Sequence, residues 1–287
     1  MKLANTIPGL RLERQAFSGT LGLVPTMGCL HEGHLSLVQR AHADNDHVAV
    51  SIFVNPTQFG PFEDLTAYPR DLQRDLTLLQ QEEVDLVWAP VPEEVYPPSF
   101  QTKVEVTGLT SPLEGAHRPG HLLGVTTVVA KLLNIFTPDR VYLGQKDAQQ
   151  ARVIRQLVAD LNFALEVVVC PTMREPDGLA MSSRNTYLSK PQRRAATVLF
   201  RGLSAASQAF STGERDADVL RAIMAASIDT EPLAKEQYVS AADPDTLREL
   251  DYVHTHVLLS MAIQIGSTRL IDNTLLTTSR NPASFAT

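Results

Sequence analysis

Short apolar runs and longer amphipathic stretches alternate through the first 173 residues of the chain. "TLGLVP" (20–25) reads as a short buried strand, and "HLSLVQRAHADND" (34–46) as a helix with Leu35, Leu37, Val38 and Ala41 on or near one face. "HVAVSIFVN" (47–55) is rich in β-branched residues and apolar enough to be buried on both sides. A Pro- and Gly-rich loop follows. "RDLQRDLTLLQQEEV" (70–84) then reads as a helix, "DLVWAP" (85–90) as a strand and "KVEVTGL" (103–109) as an extra edge strand. "GVTTVVAKLLNIF" (124–136) is long enough for a helix despite its β-branched residues. "RVYLGQKD" (140–147) is a strand ending in polar residues, "AQQARVIRQLVADLN" (148–162) an amphipathic helix, and "LEVVVCPT" (165–172) closes the series.

This βαβα rhythm predicts an α/β fold with a Rossmann-like, doubly wound parallel sheet. It breaks at "PTMREPDG" (171–178), a stretch suited to a hinge or linker. Two helical segments follow, at 189–210 and 216–228, and then three extended runs, "EQYVSAAD", "HVLLSMAIQIG" and "TRLIDNTLL". Gly266–Ser267 joins the last two as a hairpin turn. The expectation is two domains: residues 1–173 as the Rossmann-like domain, and 174–287 as a smaller C-terminal α+β domain carrying a Ser-Ser-Arg loop.

Composition narrows the classes. A net charge of −7 argues against a nucleic-acid binder, which usually carries a basic face. Two cysteines make neither a disulfide framework nor a zinc set. No apolar run reaches the ~20 residues of a membrane helix, and "MKLANTIPGLRLER" lacks a signal peptide's apolar stretch. A soluble, cytoplasmic protein without a membrane partner is expected.

The candidate chemistry sits where strands end. In a parallel sheet, ligands bind beyond the carboxyl ends of the strands. "PTMGCLHEGH" (25–34) lies there, running into a helix whose N-terminal N–H groups suit a phosphate. His31 and His34, three apart, can share one face and donate to phosphate oxygens. For an isolated H-x-x-H, two partly exposed helix-cap histidines are the favoured reading. The zinc-protease motif needs H-E-x-x-H, and "HEGH" is one residue short. "GLAMSSRNTYLS" (178–189) brings Met181, two hydroxyls at Ser182 and Ser183, and the planar fork of Arg184. "YLGQKDAQQ" (142–150) ends another strand, with Lys146 as a point charge, Asp147 as an acceptor for ribose hydroxyls and Gln150 one turn into the helix. "FVNPTQ" (53–58) leaves the second strand with Asn55 and Gln58, amides that both donate and accept. Asn55 alone is as well explained by turn chemistry ahead of Pro56.

"PTMGCLHEGH" after a strand resembles the H-x-G-H signature of nucleotidyltransferases and class I aminoacyl-tRNA synthetases. Four blocks in order resemble pantothenate synthetase, the pantoate–β-alanine ligase family: "VPTMGCLHEGHLSLV", "SIFVNPTQFGPFEDLTAYPRD", "LEGAHRPGHLLGVTTVVAKLLNIFTPDRVYLGQKDAQQ" and "REPDGLAMSSRNTYLS". The late "RLIDN" fits too.

The resemblance implies an AMP-forming ligase that is a homodimer. ATP, with Mg²⁺ on its phosphates, and (R)-pantoate give pantoyl adenylate and pyrophosphate; β-alanine then takes the acyl group, releasing AMP and pantothenate. It implies an ATP site made of Met27, Gly28, Cys29, Leu30, His31, Glu32, Gly33 and His34, of Gly144, Gln145, Lys146 and Asp147, of backbone near Met173, and of Met181, Ser182, Ser183 and Arg184 closing over the nucleotide. His34 takes the family's proton-donor role, with His31, Lys146, Ser182, Ser183 and Arg184 as its catalytic companions. Gln58 and Gln150 would hold pantoate, Gln58 also lying near β-alanine, with Asn55 a neighbour. No metal-binding side chains are implied. Cys29, Gln145 and Ala148 depart from the family's usual residues. The rival is another nucleotidyltransferase of the superfamily with a different acceptor; with no extra arginine near Gln58 and Gln150, a neutral hydroxylated acid fits better than a phosphorylated one.

Overall fold

A computed structural model describes residues 1–61 and 63–278. They form two units: Met1–Pro176 with Ala180–Thr186, and Asp177–Leu179 with the chain from Tyr187 on. The Ser-Ser-Arg segment therefore belongs to the first unit, whereas the sequence assigned it to the second. Its side chains explain this, since Ser183 and Arg184 bond to residues of the first unit.

The first unit is built on a six-stranded parallel sheet. Its strands are β1 (Lys2–Ala4), β2 (Leu21–Thr26), β3 (His47–Ile52), β4 (Leu86–Trp88), β5 (Arg140–Gly144) and β6 (Glu166–Cys170), in spatial order β1-β4-β3-β2-β5-β6. Its helices are α1 (Ile7–Gln15), α2 (Glu32–Asp44), α3 (Leu72–Gln81), α4 (Pro92–Val95), α5 (Glu114–His117), α6 (His121–Phe136) and α7 (Ala148–Asp160). Side chains alternate across the sheet. Leu21, Leu23, Ala49, Val141 and Leu143 pack with Leu10 of α1 and the apolar residues of α6 and α7. Val24, Val48, Val50 and Tyr142 pack with Leu35, Val38 and Ala41 of α2 and Leu79 of α3. Both faces are covered, so the strands read as continuous apolar runs. Each such buried Leu or Val contributes about 1.5–3 kcal/mol relative to exposure.

Besides α1, α4 and α5, which the sequence pattern did not suggest, and a break in the helix expected over 189–210, two segments differ from expectation. β1 extends the sheet at its edge, pairing with β4; three residues are too few to leave a periodic signal. "KVEVTGL" forms no strand. Its backbone turns to α6 instead: Val104 N donates to Thr127 Oγ1, and Thr126 Oγ1 donates to Val104 O.

The second unit holds α8 (Lys190–Ala195), α9 (Val198–Ser211), α10 (Ala217–Asp229) and an antiparallel sheet of β7 (Ala234–Ala242), β8 (His256–Ile265) and β9 (Thr268–Thr277), with β8 in the middle. Leu203, Leu220 and Met224 of its helices pack on Leu259, Met261 and Ile263.

The strand order reverses at β2. The chain goes outward through β3 and β4, then returns to place β5 on the other side. β2 and β5 are paired only at Gly22–Arg140 and Leu23–Val141. Beyond that they part, and a crevice opens between their carboxyl ends. Pro25, which has no N–H for a ladder, stands in this stretch.

Candidate active site

The loop after β2 is held rigidly before it reaches α2. Asp75, nearly fully buried on α3, accepts the N–H groups of Cys29 and Leu30 at 2.8 Å each. Arg74 Nη1 donates to Leu30 O at 2.9 Å. Cys29 has a φ of +50°. Burial first, then Asp75, pushes its thiol pKa up, so the thiolate form is disfavoured.

His31 is the N-cap of α2. Its Nδ1 accepts Gly33 N–H at 3.1 Å, and His34 Nδ1 accepts His31 N–H at 3.3 Å. This is a capping box made of two imidazoles, their ring centroids 4.0 Å apart. A Cβ on residue 33 would lie 2.9 Å from the His31 ring, so glycine there is what lets the ring fold back onto the helix end. Because each Nδ1 accepts a main-chain N–H, each neutral ring carries its hydrogen on Nε2. Burial, then the Lys146 charge, lowers the His31 pKa to about 4. Burial, then His31, then Lys146 lowers that of His34 to about 3. At neutral pH both are uncharged N–H donors.

The crevice brings the predicted segments together. It is lined by Met27, His31, Gly33 and His34, by Gly144, Lys146, Asp147 and Gln150, by Met173, by Met181 to Arg184, and by Gln58. Lys146 Nζ lies 3.7 Å from Asp147. Met181 N–H donates to Met173 O at 2.9 Å, joining the two methionine segments.

Other predicted residues act from behind the wall. Gly28, Cys29, Leu30, Glu32, Gln145 and Asn55 are not among the lining groups. Leu30 packs in the α2–α3 core, and Glu32 points outward at the helix start. Asn55, 1% exposed, caps the turn Pro56–Gln58 through Thr57, as the turn reading expects. It also does more: its Nδ2 donates to Gln58 Oε1 at 3.0 Å and to Gly124 O at 3.1 Å. Gln58 thus lines the crevice with its Oε1 held by Asn55. Gly124 has no room for a side chain, since a Cβ would sit 2.4 Å from Thr57 O.

The Ser-Ser-Arg residues are committed in part. Ser183 Oγ donates to Cys29 O at 3.1 Å, tying this loop to the histidine loop. Arg184 grips Asp64 with two bonds of 2.9 Å and lies over Tyr68 and Phe59.

The sequence reading overlooked Arg118 and His121, which also line the crevice. An arginine does therefore stand near Gln58: Arg118 Nη2 donates to Gln58 O at 3.3 Å. Its charge is already matched by Glu63, bound at 2.7 and 2.8 Å. Burial works to raise the Glu63 pKa, yet the Arg118 bonds hold it down to about 2. This neutralised pair keeps the preference for an acid without a phosphate. Both residues come from "HRPGH", a loop inside one of the family-like blocks, and not from a strand end. Gln149, beside Gln150, is structural. It holds Leu109 O, Pro112 O and Glu114 N.

The family model described as pantoate-beta-alanine ligase matches residues 2–275. A pantothenate synthetase of Roseiflexus sp. (strain RS-1) is 62% identical over 96% of this chain and 99% of its own length. The crystal structure of pantothenate synthetase from Thermus thermophilus superposes with a TM-score of 0.92 at 45% identity, covering 96% of this chain and 99% of that one. A pantoate-beta-alanine ligase from Francisella tularensis, complexed with beta-gamma ATP and beta-alanine, gives 0.79 at 37% identity, covering 96% and 97%.

Proposed function

The chain belongs to the pantoate–β-alanine ligase family, and we propose that it activates pantoate as an acyl adenylate in the crevice between β2 and β5. It condenses pantoate with β-alanine at the expense of ATP. The observation that carries the site assignment is the convergence of two imidazole N–H donors and Lys146 with Gln58 and Gln150 in one crevice.

A carboxylate is a poor acyl donor to an amine until one of its oxygens becomes a good leaving group. In the first step a pantoate carboxylate oxygen bonds to the α-phosphorus and pyrophosphate leaves. Negative charge spreads over the phosphoryl oxygens in the transition state, where fixed donors act most strongly. His31 and His34 offer Nε2–H groups and Lys146 a full charge. Their rigid capping geometry means little reorganisation as that charge develops. Gln58, oriented by Asn55, and Gln150 hold pantoate; Asp147 holds the ribose, and backbone at Met173 meets the adenine. In the second step the β-alanine nitrogen attacks the acyl carbon and AMP departs.

Magnesium enters this reading as part of the nucleotide substrate. Among the described residues no group of three or more His, Cys, Asp or Glu could hold a metal. The ion would screen the phosphates next to Lys146. No helix among the described residues is long and apolar enough to cross a membrane. A homodimer in the cytoplasm completes the reading and rests on the family resemblance; sedimentation at several concentrations tests the assembly.

The test of the adenylation step is exchange of labelled pyrophosphate into ATP. Exchange that requires pantoate and not β-alanine is the expected result. Exchange driven by a phosphorylated acceptor instead would assign the chain to a different nucleotidyltransferase chemistry.

A further inference from the structure

One ring in the crevice has no part in the mechanism above. His121 opens α6 and lines the same crevice as Gln58. Its Nδ1 lies 2.8 Å from the main-chain carbonyl oxygen of Gln58. A carbonyl only accepts, so Nδ1 carries the hydrogen, and in the neutral ring Nε2 holds a lone pair. His31 and His34 are the reverse, accepting at Nδ1 and donating at Nε2. The crevice thus has two imidazole donors on the phosphate side and one imidazole acceptor beside Gln58.

The second half-reaction needs such an acceptor. β-Alanine reacts as its free amine, its first proton given to solvent; as the nitrogen bonds to the acyl carbon it becomes cationic again and must lose a second proton. The C–O bond to the phosphate then breaks, and its electron pair leaves with AMP. The other groups of the crevice suit this poorly. His31 and His34 have their ring lone pairs committed to the main chain, Lys146 is a cation, and Gln58 and Gln150 are amides. Asp147 lies by Lys146, on the phosphate side.

We propose that His121 Nε2 takes this proton, as the general base of acyl transfer. The proposal rests on the adenylate reading given above. The charged groups around the ring are Arg118, Glu114 and Glu63. Burial first, then Arg118, lowers its pKa to about 4, against the pull of the Gln58 carbonyl and the two carboxylates. The ring is therefore neutral at physiological pH with its lone pair available. Its modest basicity suits a proton on the tetrahedral adduct, which is far more acidic than one on a free alkylammonium ion. Arg118, itself held by Glu63, donates to the same Gln58 carbonyl as His121 Nδ1.

The informative variant is His121→Asn, whose amide nitrogen takes the place of Nδ1 and keeps the bond to Gln58. Two rates are read on one preparation: pantoate-dependent pyrophosphate exchange and pantothenate formation. Exchange should stay within about three-fold of the parent, while pantothenate formation falls by ~10²-fold or more, the scale of a lost general base. Hydroxylamine, whose weakly basic nitrogen makes its adduct acidic enough to lose the proton to water, should restore acyl transfer in the variant, giving the hydroxamate. Equal losses in both rates, or no advantage of hydroxylamine over β-alanine, would overturn the proton-transfer role. If the parent itself shows no pantoate-dependent exchange, the adenylate reading has failed, and that result is separate from any effect of the variant.

Discussion

His31 and His34 cap the same helix and each other: the main-chain N–H of His31 donates to the His34 ring, while the His31 ring accepts from Gly33. One arrangement settles both the local fold and the tautomers. It also explains why a glycine separates the two rings. If its Nε2–H serves the transition state as proposed, His34→Ala should lower the exchange rate at least ~10²-fold with the fold retained. Gly33→Ala drives a Cβ to 2.9 Å from the His31 ring. It should depress exchange by about ten-fold or more by displacing that ring. Steady-state exchange assays with circular dichroism as the folding control check both.

Gly124 and Asn55 hold Gln58 from two sides. Gly124→Ala places a methyl 2.4 Å from Thr57 O, so α6 or the Pro56–Gln58 turn must shift. The expected result is a rise of about ten-fold in KM for pantoate, with a smaller change in KM for ATP. Asn55→Ala should act in the same direction by freeing the Gln58 amide to rotate. Equal changes in both KM values would mean that the turn does not serve the acid subsite.

Arg184 and Asp64 form a bidentate pair within the first unit. A triphosphate recruits Arg184 only by competing with that carboxylate. Asp64→Asn should therefore lower KM for ATP by about two- to five-fold, and Arg184→Ala should raise it, in line with charge-assisted pairing. Isothermal titration with a non-hydrolysable ATP analogue reads the same ordering without turnover.

Three buried or half-buried histidines share a depressed pKa: His31 at about 4, His34 at about 3 and His121 at about 4. The unfolded chain protonates them near 6.5, while the folded chain keeps them neutral. Below that value the unfolded state binds more protons, so stability is full above it and is lost as pH falls toward the folded values. Thermal unfolding should show a midpoint at least about 2–4 °C lower at pH 5 than at pH 7, the scale of one kcal/mol for a chain of this size. The drop should shrink in His121→Asn.

The sheet was legible because its strands are covered on both faces and so appear as plain apolar runs. β1 was too short to register, and the alternating "KVEVTGL" imitates a strand while its backbone is satisfied by Thr126 and Thr127 of α6. His31, His34, Lys146 and Asp147 were legible as crevice residues because they follow the ends of β2 and β5. Arg118, in the loop before α6, and His121, the first residue of α6, were not, since neither follows a strand end and both reach Gln58 only through the fold. Asp64, which holds Arg184, stands 120 residues away from it, and no local pattern links the two. The capping role of the histidines was readable as an alternative to phosphate binding. The structure shows the capping through Nδ1 of both rings, which leaves each Nε2–H uncommitted to the cap.

The central claim is that a pantoate oxygen bonds to the α-phosphorus of ATP in this crevice. Pantoate labelled with oxygen-18 in its carboxylate, ATP and β-alanine should be turned over once, and the products read by mass spectrometry. One labelled oxygen in AMP and one in the amide of pantothenate is the expected result. AMP free of label, with the heavy oxygen in pyrophosphate or in inorganic phosphate, would contradict it.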